Sequence, residues 1–373
     1  MKARITALFV FALLVVAVAI PVSGAGGKPP PTAPEEFFGI APQTALTDRD
    51  IEYMVGGGIG SIRVPVIWGN IQPTQKRKYN WETLDELFEL TAPAGLKVLP
   101  FLYGTPGWLG TATRMPVDSA RARSAWSAFL KAIVARYGPG GEFWKLRATK
   151  TEYDPAIRPA VPVTEWQVWN EANFFYFALP ATPTRYAKLL KLSSQAIKSV
   201  RPGAKVVLSG LFGEPKASPP KGMDATKFLE ALYRVPGLKH YFDGVALHPY
   251  AVDAETLEEF VEAFHEISLE NHDRPGLYLT EVGWGSQNNF QQVAFEQGIR
   301  GQVKQLKDSY TYLLENRRRL NLKQVYWYSW KDTTEYGACN FCDSVGLLKS
   351  GDGFKPKPAW HAFVALSGGS ARP

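Results

Sequence analysis

The sequence predicts a single (β/α)8 barrel, and three observations carry that prediction. Short runs rich in Val, Ile and Leu alternate with helix-period segments eight times. The runs are continuously apolar, as expected of parallel strands covered on both faces. No break in composition separates the repeats after residue 37, which favours one closed barrel over several domains. A doubly wound open sheet is the structural alternative. It would be expected to carry a phosphate-type glycine fingerprint, and none is found.

The strands are read at 37–42, 61–68, 97–103, 164–170, 204–210, 242–248, 276–281 and 323–330. Between them, 186–200 places Tyr186, Leu189, Leu190, Leu192 and Ile197 along one side of a helix, and 224–235 and 256–267 show the same period. The glycines of 56–60 lack the Lys-Ser/Thr of a phosphate loop and precede a strand, where such a loop should follow one. They read as the end of a helix before strand two.

The first residues read as an address. Lys2 and Arg4 precede an unbroken apolar run over 5–20, then Pro21 and the small residues Ser23, Gly24 and Ala25. This is the layout of a secretory signal peptide over 1–25. An uncleaved anchor is the alternative, but the run is shorter than the roughly 20 residues a spanning helix needs. Residues 26–36, with Pro29, Pro30 and Pro31, read as a linker, and the barrel is expected over 37–373. The expectation is a secreted protein without stable membrane insertion.

Composition narrows the partners. The chain has 373 residues, 45% hydrophobic and 21% charged, which suits a folded soluble domain. Its formal charge of +7 falls to +5 without Lys2 and Arg4, and the charge is spread out. The densest basic spot, Arg317, Arg318 and Arg319, lies near the end of a predicted helix, where cations suit the dipole. No nucleic-acid partner is expected; association with anionic cell-wall polymers stays open. Aromatics reach 13% with 11 Trp, either an aromatic-rich core or rings that bind the apolar faces of sugars. Cys339 and Cys342 are spaced C-x-x-C. In a cytosolic chain that would raise a redox motif; in an exported one a local disulfide is the better reading. A zinc site would need two further ligands, and none is close in sequence.

In such a barrel the active site lies at the C-terminal ends of the strands. Strand four ends Trp169-Asn170-Glu171-Ala172-Asn173 and strand seven ends Thr280-Glu281-Val282-Gly283-Trp284. A carboxylate at the end of a buried strand is costly unless paired or hydrogen-bonded. Two on strands facing one another across the mouth suggest acid–base work, with two structural ion pairs as the alternative. Trp169-Asn170-Glu171 together with Thr280-Glu281 resembles the large group of retaining glycoside hydrolases with a (β/α)8 barrel and catalytic Glu residues on strands four and seven. Residues 166–173 look most like family 39, with family 5 close behind, and the resemblance runs from Phe37 to Leu366. The family usually has Pro after the Asn-Glu pair; Ala172 stands there instead, which should alter the loop path.

The resemblance implies Glu171 as acid/base and Glu281 as nucleophile of a double displacement at an O-glycosidic bond, β-linked by the same likeness. It places Arg63 of strand two beside the nucleophile and Asn170 on the sugar 2-hydroxyl, and it has His248 or Tyr250 touching the nucleophile or the sugar. Trp330 is the expected platform under the cleaved sugar. Trp68, Trp108 and Trp284 also follow strand ends, Phe174, Phe175, Tyr176 and Phe177 follow the acid, and at least two of these rings are expected to line an open cleft. The expected partner is an oligo- or polysaccharide, the chain a monomer, and no metal or organic cofactor is implied. A carbohydrate-binding barrel without hydrolysis and a transglycosylase using the same residues are the competing readings.

Overall fold

Eight parallel strands close on themselves: β1 (Phe38–Ile40), β2 (Ser61–Ile67), β3 (Lys97–Tyr103), β4 (Glu165–Val168), β5 (Lys205–Val207), β6 (Gly244–His248), β7 (Gly276–Val282) and β8 (Leu322–Trp327). The chain of β5 resumes after a three-residue break as Leu211–Phe212, which pairs with the end of β6. Each strand pairs in parallel with its sequence neighbour, β8 pairs with β1, and Val207 opposite Gly244 joins β5 to β6. This is a (β/α)8 barrel, and all eight expected strands are present, most of them trimmed at the ends.

This computed structural model describes residues 33–372 apart from 77, 150–156, 158, 334–338 and 340. The signal-peptide reading of 1–25 and the linker as far as residue 32 lie outside those residues. The end of the proposed linker is already part of the fold. Glu35–Phe37 forms a 3-10 turn, and Ser61 Oγ of β2 donates to the Glu36 carbonyl at 2.8 Å. Among the described residues no helix is long and apolar enough to cross a membrane.

The two faces of the strands do different jobs. Ile62, Val64 and Val66 of β2 join the large outer cluster between strands and helices, with Trp126, Phe129 and Leu130 from the helix Ala120–Tyr137 and Tyr186, Leu189 and Leu190 from the helix Pro183–Val200. The inner face is filled by size matching. Tyr326 and Tyr278 are buried inside, and Gly39 stands where a Cβ would come within 2.4 Å of the Tyr326 ring. The glycines before strand two end the helix Asp48–Gly56, with Gly57 as its C-cap and Gly58 at φ +80°, as the sequence suggests. That helix starts on a capping box between Thr47 and Asp50.

Candidate active site

Arg63 organises the mouth. It points inward from β2 with its guanidinium 3.9 Å from the centroid of the Phe101 ring on β3, and it is 1% exposed. A cation this buried must be fully paired. Its Nε donates to Gln167 Oε1 at 2.7 Å, one terminal nitrogen to Glu281 Oε1 at 2.7 Å and the other to Asn170 Oδ1 at 2.6 Å. Gln167, on β4, is itself held by donating to the Leu208 carbonyl and to Thr280 Oγ1.

Glu281 reaches this pocket through an irregularity. In a regular strand Thr280 and Glu281 would face opposite sides. The register between β7 and β8 shifts between Leu279 and Val282, and a bulge of this kind re-aims side chains. Thr280 therefore meets Gln167 while Glu281 meets Arg63. The second oxygen of Glu281 accepts from the Tyr250 hydroxyl at 2.7 Å. Both oxygens thus face donors, the environment of a carboxylate that works as an anion.

Glu171 lies at the end of β4 in a strained turn. Trp169 and Glu171 adopt positive φ, 71° and 38°, in a region that side chains rarely occupy. The turn is clamped by Glu171 N donating to the Gly210 carbonyl and by Trp169 Nε1 donating to the Phe177 carbonyl. The N–H of Ala172 donates to Ser209 Oγ at 3.4 Å, a bond that proline could not make.

The two carboxylates have opposite surroundings. Among the described residues Glu171 has no Arg or Lys ion pair; its partner is His248, whose Nδ1 lies 2.9 Å from Glu171 Oε1 and 3.6 Å from Glu281 Oε2. Burial, followed by the negative charge of Glu281, pushes Glu171 well above the ordinary carboxylate range, against a smaller opposing pull from Arg63. Burial and then Arg63 hold His248 well below its usual range, so the ring is neutral. Its Nε2 is buried without a partner, tight against Gly210, where a Cβ would come within 2.0 Å of it. An orphaned lone pair is tolerated better than an orphaned N–H. The neutral ring therefore carries its proton on Nδ1 and donates to Glu171 Oε1. The Glu171 proton is left on the other oxygen, available to a bound molecule. Tyr250 is pushed well above its usual range by burial first and then by Glu281, which keeps it a donor.

One donor atom from each of Glu171, His248 and Glu281 lies within 4.8 Å of the others. The trio has the composition of a metal face, but Arg63 bonded to Glu281 opposes a cation there, and Nδ1 is engaged with Glu171. The arrangement suits a protonated acid and an anion set close together. Both carboxylates keep slight exposure, 7% for Glu171 and 8% for Glu281, so their tips reach the mouth.

The structure thus brings Arg63, Asn170, Glu171, His248, Tyr250 and Glu281 into one cluster. Trp330 is a correction. It is fully buried, donates from Nε1 to Asp50 Oδ1 at 2.7 Å and packs edge-on against Trp360, so it is a core residue and no sugar platform. The chain turns outward after β8, and Asp50, ion-paired with Lys331, draws the indole behind the barrel wall. Trp68 and Trp284 are buried as well, and Trp108 alone of these four keeps some surface. The ring that β8 presents on the site side is Tyr328, in an aromatic cluster with Tyr250, Phe341 and Phe295. Tyr328 and Gln167 escape a sequence reading that looks for tryptophans and carboxylates. Cys339 and Cys342 are disulfide-bonded, with Cα atoms 5.4 Å apart, and Tyr328 Oη donates to Cys342 Sγ. The closed loop is short, so the bond adds little to stability.

Two expected results follow from this geometry. Arg63→Ala removes a cation from a buried pair and should cost about 3–5 kcal/mol of stability. It should also lower turnover about 10²- to 10³-fold, by analogy with losing one preorganised donor. Wild-type turnover in the folded variant would make Arg63 purely structural. The second result concerns stability. A carboxyl whose folded pKa is raised stabilises the fold below its unfolded pKa, about 4.3, and that contribution is lost as pH rises through the folded value. Glu171→Gln, which cannot ionise, should therefore match the wild-type Tm at pH about 4 and exceed it increasingly toward pH about 8. A pH-independent difference in thermal melts would contradict the buried, protonated state of Glu171.

No family model matches the sequence, and no curated protein matches it. Solved structures do match the fold. A family 39 glycoside hydrolase from the gut symbiont Bacteroides cellulosilyticus WH2 aligns over 89% of this chain and 64% of its own, at 22% identity and TM-score 0.60. A monomeric β-xylosidase from Caulobacter crescentus CB15 aligns over 91% and 69%, at 18% identity and TM-score 0.62. The exo-β-1,4-mannosidase Op5Man5 from Opitutaceae bacterium strain TAV5 aligns over 88% and 58%, at 16% identity and TM-score 0.59. This chain therefore spans 58% to 69% of the length of these three proteins. At such identities the likeness establishes the (β/α)8 fold they share.

Proposed function

We propose that this chain is a secreted retaining glycoside hydrolase acting on a β-linked oligo- or polysaccharide. The observation that carries the reading is the asymmetric carboxylate pair. Glu281 sits between two donors, and Glu171 is buried, protonated and without a cation, with an oxygen of each inside 4.8 Å. Retaining enzymes hold their carboxyl groups about 5–5.5 Å apart, whereas inverting ones need roughly 6.5–9.5 Å to admit water. Glu281 attacks the anomeric carbon while Glu171 gives its proton to the departing oxygen. The glycosyl ester on Glu281 is then hydrolysed by water, which Glu171 deprotonates. Asn170 has spent its carbonyl oxygen on Arg63, so its amide NH₂ is the group turned to a sugar hydroxyl.

The solved structures that share the fold include enzymes titled as a β-xylosidase and an exo-β-1,4-mannosidase, which makes β-xylosides and β-mannosides the first candidates. Export rests on the leader-like segment before residue 26. The test is incubation with a panel of β-linked polysaccharides and aryl glycosides, with product sizing and proton NMR of the first-formed anomer. A first product of retained configuration is expected. An inverted one would mean direct attack by water and would reject Glu281 as nucleophile.

A further inference from the structure

Tyr250 holds its hydroxyl on Glu281 from beyond the strand ladder, two residues past the end of β6. Its ring is boxed by other rings. Among the described residues Phe341 has the nearest one, edge-on at 5.1 Å between centroids, with Tyr328 perpendicular at 6.3 Å and Phe295 at 6.0 Å. Edge-to-face contacts are directional, so they fix the tilt of a ring as well as its place.

Phe341 is itself pinned. The Cys339–Cys342 disulfide ties the chain together on either side of it, and Cys342 Sγ accepts from Tyr328 Oη at 3.2 Å. Behind it, Ser344 N donates to the Phe341 carbonyl at 3.2 Å. Ser344 is anchored in turn: its hydroxyl donates to Glu296, and its carbonyl accepts from the buried Lys357 ammonium at 2.6 Å. A cross-link over so short a loop contributes little to global stability. What it does contribute is a ring held still, and a catalytic constellation needs such support to stay within about 0.5 Å of its working geometry.

We propose that Phe341, held by the Cys339–Cys342 disulfide, is a positioning residue that keeps the Tyr250 hydroxyl on Glu281. The role rests on the glycosidase reading. Arg63 and Tyr250 donate the two hydrogen bonds that aim Glu281 at the anomeric carbon. With the aromatic wall loosened, the Tyr250 ring tilts, its 2.7 Å bond lengthens and Glu281 loses its aim. A misplacement of about 1 Å can cost about 10²-fold in rate. The loss falls on the chemical step and not on substrate binding, because Phe341 acts through Tyr250 and not on the sugar.

The test is a double-mutant cycle in the full-length protein, read on an aryl β-glycoside that the wild type cleaves. Phe341→Ala should lower kcat about tenfold to a hundredfold, with KM within about twofold of wild type. Tyr250→Phe, which removes the donor, should lower kcat about 10²-fold. In the Tyr250→Phe background Phe341→Ala should cost less than about twofold more, because the hydroxyl it serves is gone. Cys339→Ser combined with Cys342→Ser keeps the ring and removes the cross-link. That variant should melt close to wild type, since the bond adds little stability, yet lose about threefold to tenfold in kcat. Wild type treated with a phosphine reductant should match it, and the serine variant should ignore the reductant. The serine variant carries the same cycle if Phe341→Ala does not fold. Losses that multiply in full across the cycle, or an unchanged kcat in the serine variant, overturn the positioning role and leave the glycosidase reading standing. No turnover of any glycoside by the wild type sinks that reading and this role with it.

Discussion

Replacing Glu281 with glycine is expected to lower kcat at least about 10⁴-fold, and added azide should restore turnover with an α-configured glycosyl azide as product. The nucleophile forms the covalent bond, so no other group in the cluster can stand in for it. Tyr250 stays protonated because burial and the neighbouring anion push its hydroxyl up, and Asn170 is committed to Arg63. Glycine opens space on the face that Glu281 occupied. A small anion entering there attacks once, giving a product opposite in configuration to the β-linked substrate. Arg63 would then lack its charged partner while keeping Gln167 and Asn170, so the variant should fold with a lowered Tm. Thermal melts separate that loss from the loss of chemistry. A variant that keeps activity within tenfold of wild type, or an azide product of retained configuration, would move the nucleophile elsewhere.

Glu171→Ala should behave differently. General acid–base help is worth about 10²- to 10⁴-fold, and here the loss should scale with the leaving group. A glycoside with a dinitrophenyl leaving group needs no proton, so its first step should remain fast and a burst of phenol should appear. The second step lacks its base, and azide should accelerate it to give a β-glycosyl azide of retained configuration. The wild-type basic limb should lie above the ordinary carboxylate range, because burial and then Glu281 raise Glu171. In the variant that limb should vanish. Equal losses for good and poor leaving groups would argue against Glu171 as the acid.

Much of this was legible in the sequence for a simple reason. Parallel barrel strands are apolar on both faces, so a polar residue within a strand or at its end stands out: Arg63 lies within β2, and Asn170, Glu171, His248, Tyr250 and Glu281 sit at or near strand ends. Their convergence follows once eight repeats are counted. Four things were not legible. The bulge that turns Thr280 and Glu281 toward the same side is a register effect between strands, with no signature in the run 276–282 itself. Trp330 looks like a rim residue by position, but its direction is set by Asp50, 280 residues earlier in the chain. Gln167 reads as one more strand residue until Arg63 is seen to need a third partner. The start of the fold is hard to read as well, because Pro34, Glu35 and Glu36 look like spacer, while the Glu36 carbonyl serves as an acceptor for β2.

The most direct measurement of the central claim is covalent trapping. A 2-deoxy-2-fluoro glycosyl fluoride of the sugar the protein cleaves should inactivate it by forming a glycosyl ester that turns over slowly. Peptide mass spectrometry after digestion should find the added sugar mass on the peptide containing Glu281, and Arg63→Ala should acquire it more slowly. Adduct on Glu171, or time-dependent inactivation without any covalent adduct, would contradict the assignment of Glu281 as nucleophile.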